Sequence, residues 1–252
     1  MVSLLLLLAC SDTPSVRGRV VDVWNNPIED AKVLTGKESP TTDSHGVFEL
    51  TKTAPGSVTL KAGKEGYIQE ELTFDLTAET TTAPTFKLYK KPDQNGFHAL
   101  TVGDYRTIPP STVELIGHKN DATYGIEPPD NRIFIEGDKL EIVYKIDLSL
   151  PQIKALGLKL KKLSFTEKTT MKSIAGGVET EVPINLFVAD KQVPIEIAAL
   201  NSANHFMLRT TEPLEPGVYA LESQNLLQPK DPVAWSRIPA GLRNVYAFTV
   251  RK

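Results

Sequence analysis

The chain has 252 residues, 40% hydrophobic and 23% charged, and its 28 Lys and Arg stand against 31 Asp and Glu for a formal net charge of −3. That balance offers no overall basic field to draw nucleic acid, and the single cysteine, Cys10, excludes a disulfide-stapled fold and leaves stability to packing. Beyond the first residues no stretch approaches the ~20 apolar residues of a spanning helix, and the length suits one large β domain or two smaller ones.

The chain opens with five leucines and an alanine, Leu4 to Ala9, that run straight into Cys10 and the polar tract Ser11-Asp12-Thr13-Pro14-Ser15. This is the order of a secretory signal followed by a small-residue cleavage point. Leu7-Leu8-Ala9-Cys10 resembles the lipobox of bacterial lipoproteins. The resemblance implies a signal peptide over 1–9, cleavage before Cys10, diacylglycerol on its sulfur, an acyl chain such as palmitate on its amino group, and a tether over 10–15. Each buried methylene adds about 0.8 kcal/mol of membrane affinity, so several chains on one residue make a stable anchor. Ser11 at the second mature position resembles an outer-membrane sorting signal, which implies an outer-membrane lipoprotein facing the periplasm or the cell surface.

After the tether almost every apolar pattern has period two, the signature of strands with one buried face. Over 16–91 the order is Val16-Arg17-Gly18-Arg19-Val20, Asn26-Pro27-Ile28, Ala31-Lys32-Val33, Thr42-Asp43-Ser44-His45-Gly46-Val47-Phe48-Glu49-Leu50, Pro55-Gly56-Ser57-Val58-Thr59-Leu60 and Gly66-Tyr67. It predicts an edge strand at Val16, Gly18 and Val20, turned by Asn26-Pro27 with proline presetting φ, and a second turn at Asp43 and Gly46 that delivers Phe48 and Leu50 to the core. This order is similar to the carboxypeptidase regulatory-like family, and the resemblance implies a transthyretin-like, seven-stranded Greek-key sandwich. Thr77 to Pro84 reads as a loop before a last strand at Thr85–Tyr89, and Lys90 to Gly96 as the boundary.

Residues 97–252 read as a second, Ig-like sandwich. Candidate strands fall at 97–102, 112–116, 132–135, 139–146, 158–165, 182–188, 193–198, 206–210, 218–222 and 245–250, with a short helix allowed only at Leu150 to Leu156. The predicted fold class is therefore all-β, a regulatory-like sandwich followed by an Ig-like one.

Chemistry is sparse. None of His45, His98, His118 or His205 is followed at the third position by Glu, as a zinc peptidase requires, and no nucleophile elbow, P-loop or dinucleotide motif occurs. No metal or cofactor is expected. Candidate binding residues are surface features: Lys159, Lys161 and Lys162, in a basic run with Lys154, Lys168 and Lys172 that could meet an anionic partner, and the aromatic rings of Trp24, beside the Asn25-Asn26-Pro27 turn, and Trp235, in the strandless segment 228–237. The expected protein is a non-catalytic, membrane-anchored envelope lipoprotein with a protein or glycan partner; the alternative is a hydrolase with its site in loops of 97–252.

Overall fold

The computed structural model describes residues 15–251 except 37, 52–54, 78–81, 118–121, 129–132 and 173–178, with side chains given from 16 to 169 and from 181 to 251 within those limits. Cys10, the expected signal peptide over 1–9 and nearly all of the expected tether over 10–15 lie outside the described residues, as do His118 and the Lys172 side chain. Contacts divide the chain into two compact units, Met1–Lys91 and Pro92–Lys252.

In the first unit alternating apolar residues build β1 (Ser15–Asp22), β2 (Lys32–Leu34), β3 (Val47–Thr51), β4 (Gly56–Gly63), β5 (Glu70–Leu76) and β6 (Phe86–Leu88). They form two three-stranded sheets, ordered β3-β1-β6 and β2-β4-β5. Val16, Val20, Phe48, Leu50, Phe86 and Leu88 from one sheet meet Val33, Leu60, Ala62 and Leu76 from the other in a common core. Burying each large member contributes roughly 1.5–3 kcal/mol.

Two expectations change here. The described residues hold six strands, not seven, and β1 is central rather than an edge, because β6 pairs with it in parallel through Val20 and Phe86. That partner returns from far along the chain, beyond the reach of a local hairpin pattern. Gly18 faces Phe48 across the β1–β3 ladder. A Cβ there would lie 2.1 Å from the Phe48 ring, so glycine is what admits the ring. Of the loop expected over Thr77 to Pro84, the far end is pinned: Ala83 is buried and its N–H donates to the Arg17 carbonyl at 2.7 Å.

The second unit contains β7 (Gly96–Leu100), β8 (Tyr105–Thr107), β9 (Pro110–Thr112), β10 (Glu114–Ile116), β11 (Thr123–Ile126), β12 (Phe134–Glu136), β13 (Glu141–Lys145), α1 (Leu150–Ala155), β14 (Lys159–Lys172), β15 (Glu179–Val193), β16 (Ile195–Ala199), β17 (His205–Thr210), β18 (Gly217–Glu222), α2 (Pro232–Ser236) and β19 (Asn244–Arg251). A five-stranded sheet, β16-β17-β13-β7-β8, and an eight-stranded sheet, β10-β11-β15-β14-β18-β19-β12 with β9 also on β19, carry the fold. Phe97, Ile142, Tyr144, Phe206 and Leu208 of the smaller sheet pack with Leu160, Tyr219, Leu221, Phe248 and Val250 of the larger. The chain is thus all-β, built of sandwiches.

The larger sheet is buried on its other face as well. Val113, Ile126, Leu163, Val218, Ala220, Val245 and Ala247 lie there under Leu226, Leu227 and Trp235. Successive residues of β18 therefore point into different cores, and both sets are buried.

Several expected elements shift. The single strand expected at Thr112–Ile116 is two, because the chain changes partner at buried Val113: β9 pairs with β19 and β10 with β11. The strand expected at 182–188 continues as β15 through the polar residues Asp190 to Gln192 to Val193, with Asp190 bulged out and Lys191 and Gln192 still paired with β14. Pro194, which lacks an N–H, then ends the ladder, and β16 joins the other sheet. Besides α1, a second helix forms at α2, inside the segment expected to be irregular.

Candidate functional site

Three of the five candidate binding residues converge in the second unit, where residues 222–238 cover the outer face of the larger sheet. Asp231 caps α2, its Oδ1 accepting from the N–H groups of Val233 and Ala234 at 2.9 and 3.1 Å, and Pro232 occupies the first turn. The cap aims Trp235 inward. Its ring is 2% exposed, its Nε1 donates to the Leu226 carbonyl at 3.0 Å, and the ring meets Tyr124 edge-on at 4.9 Å. The Arg243 guanidinium sits 4.2 Å from the ring centroid while its Nε and Nη2 donate to the carbonyls of Ile238 and Ser236. Trp235 is therefore a core residue and not an aromatic displayed on a loop; a ring enclosed this way is not presented to a partner.

Lys159 and Lys161, two apart on β14, project onto this same face. Lys161 is 6% exposed and its Nζ donates to Gln228 Oε1 at 2.9 Å; Lys159 Nζ donates to Asn225 Oδ1. Glu222, 1% exposed, stands directly across the β14–β18 ladder from Lys159 and accepts the Leu227 N–H on Oε2 at 2.8 Å. Burial pushes the Glu222 carboxyl above the usual carboxylate range, partly offset by the Leu227 N–H and the charges of Lys161 and Lys159. The two lysines thus clasp the 222–228 loop to the sheet.

Lys162 points to the opposite face and pairs with Glu215 at 2.5 Å, while Lys168 pairs with Glu181 at 2.8 Å. Lys154 lies in the last turn of α1. Those lysines whose side chains are described do not make one basic field; the run is dispersed over two faces of a sheet and a helix.

Trp24, in the first unit, is half-buried on a turn. Asp22 Oδ1 accepts from the N–H groups of Trp24 and Asn26 at 2.9 and 2.8 Å, its Oδ2 accepts from Asn26 Nδ2, and Asn25 takes a φ of 68°. At the next turn Asp43 Oδ1 accepts from the N–H groups of His45 and Val47, both at 2.9 Å. The Val47 N–H chiefly holds its carboxyl below the usual range. Gly46 has a φ of 73° and no space for a Cβ, which would fall 2.4 Å from the Val20 carbonyl oxygen. His45 is exposed in this turn.

His98 and His205 are buried. His98 sits 2.8 Å from the Gln94 carbonyl through Nε2 and 3.1 Å from Thr107 Oγ1 through Nδ1; His205 Nδ1 lies 2.6 Å from the Ala203 carbonyl. Among the described residues no group of three His, Cys, Asp or Glu is placed to hold a metal ion. An apolar cleft in the first unit is lined by Val16, Leu50, Val58, Phe74 and Leu76, with Glu38 at its rim accepting the Thr51 N–H at 3.2 Å.

This architecture places the chain among all-β proteins of sandwich type. Residues 15–89, within the first unit, match the carboxypeptidase regulatory-like domain. None of the curated proteins compared with the chain matches it. Among solved structures, one similar chain is a variant of BcpA, the major pilin subunit of Bacillus cereus, at 9% identity and a TM-score of 0.23 over 94% of this chain and 67% of the pilin. Likeness at that level defines neither the fold nor the function of the present chain.

Proposed function

We propose that this protein is a non-catalytic envelope lipoprotein, held at a membrane through Cys10 and acting as a structural or binding module. The observation that supports the reading is the regulatory-like sandwich at 15–89, set directly behind the run of leucines that ends at Cys10. A sandwich of that class is a scaffold on which unrelated functions are carried, so the activity belongs to its surfaces. Among the candidate aromatics Trp24, half-buried on a turn whose backbone Asp22 holds, offers a partly open ring for an envelope protein or a glycan, of the kind that anchors interfaces.

The test is metabolic labelling with palmitate in a bacterial host. Wild-type protein is expected to carry label and to fractionate with membranes, and Cys10→Ser to lose the label and appear in the soluble fraction. Label retained by Cys10→Ser would sink the anchor. Turnover of a peptide, ester or glycan by purified protein would sink the non-catalytic assignment.

A further inference from the structure

The loop clasp at the end of β18 brings together three groups whose chemistry exceeds what holding a loop requires. Gln224 and Asn225 take φ values of 64° and 53°, and these two successive left-handed residues turn the chain just after β18. That turn sets the Asn225 carboxamide on the Lys159 amine, with Lys159 Nζ at Asn225 Oδ1. Glu222 is the cross-strand neighbour of Lys159 in the antiparallel register, so amine and carboxyl project from the same face of the sheet. Glu222 is almost fully enclosed, and its Oε1 meets no hydrogen-bond partner among the described residues while Oε2 holds the Leu227 N–H. A buried carboxyl oxygen left without a partner is costly in a purely structural role.

We propose that Lys159 and Asn225 become joined by an intramolecular amide bond, with Glu222 carrying the proton. Glu222 first accepts a proton from the Lys159 ammonium. The free Nζ then attacks Asn225 Cγ; the Nζ–Cγ bond forms, the Cγ–Nδ2 bond breaks, and the proton Glu222 accepted passes to Nδ2. The second proton lost from Nζ returns to the ammonia, or to Glu222, as the site resets. One ammonia leaves, and no oxidant, cofactor or water is consumed. An amine and a carboxamide are unreactive together in water. Fixed in contact beside an acid–base group, they gain the effective molarities of ~10⁵–10⁸ M that well-oriented intramolecular partners reach. Burial raises the affinity of Glu222 for the transferred proton, which suits it to the role. The bond ties residues 66 positions apart and stands independently of the envelope reading above.

The experiment is a tryptic map of the purified, denatured full chain by mass spectrometry. A bonded Lys159 cannot be cleaved. The expected product is a branched peptide joining 155–161 to 210–230, lighter than their sum by one ammonia. Cleavage after Lys159 together with an unmodified 210–230 peptide overturns the proposal, whatever any variant does. Glu222→Gln keeps an acceptor for the Leu227 N–H and is expected to give linear peptides only; a branched peptide persisting in that variant overturns the assignment of Glu222 as proton carrier.

Discussion

Gly18 illustrates how a missing side chain fixes a core. Its place opposite Phe48 lets the ring lie over the strand, and a methyl group would occupy the ring's own volume. Overpacking of this kind costs ~1–3 kcal/mol. Gly18→Ala is therefore expected to lower the stability of the first unit by about that amount, and Phe48→Ala, which empties the site, by ~3–5 kcal/mol. The double variant is expected to fall short of the sum, because the clash disappears with the ring. Denaturant melts of the four proteins in the cycle measure the coupling, and strict additivity would show that the ring does not lie over Gly18.

At the scale of the element, α2 is a five-residue helix that exists to deliver one side chain. Too short to be stable alone, it is held by the Asp231 cap and by the enclosure of Trp235. Trp235→Ala is expected to destabilise the second unit by ~3–5 kcal/mol, and Asp231→Ala by ~1 kcal/mol, both read from chemical denaturation; a neutral Trp235→Ala would return that ring to the surface. The cue was present in the sequence: Asp231-Pro232 is an N-cap residue followed by a proline at the first helical position. With Pro229 nearby, the same residues read equally well as a loop. Period-two alternation made β3 and β13 legible because it is a local property. The clasp was not, since Lys159 and Lys161 meet partners 66 and 67 positions away and no local pattern records such a distance.

At the scale of the molecule, each unit has its own hydrophobic cores, one in the first and two in the second among the described residues. A domain with its own core can fold alone. The fragment from Pro92 onward is expected to melt in a single cooperative transition when produced by itself, observed by circular dichroism on heating. A fragment with strand signal and no cooperative transition would mean that the second unit depends on the first.

The passage of the chain through Pro194 also shapes how the second unit answers force. One continuous stretch of backbone belongs to the larger sheet as β15 and, a residue later, to the smaller sheet as β16. The two layers are therefore stitched by a covalent thread near that corner as well as pressed together by apolar side chains. Peeling one layer from the other at that seam must unzip a ladder strand, hydrogen bond by hydrogen bond, before the layers can part there.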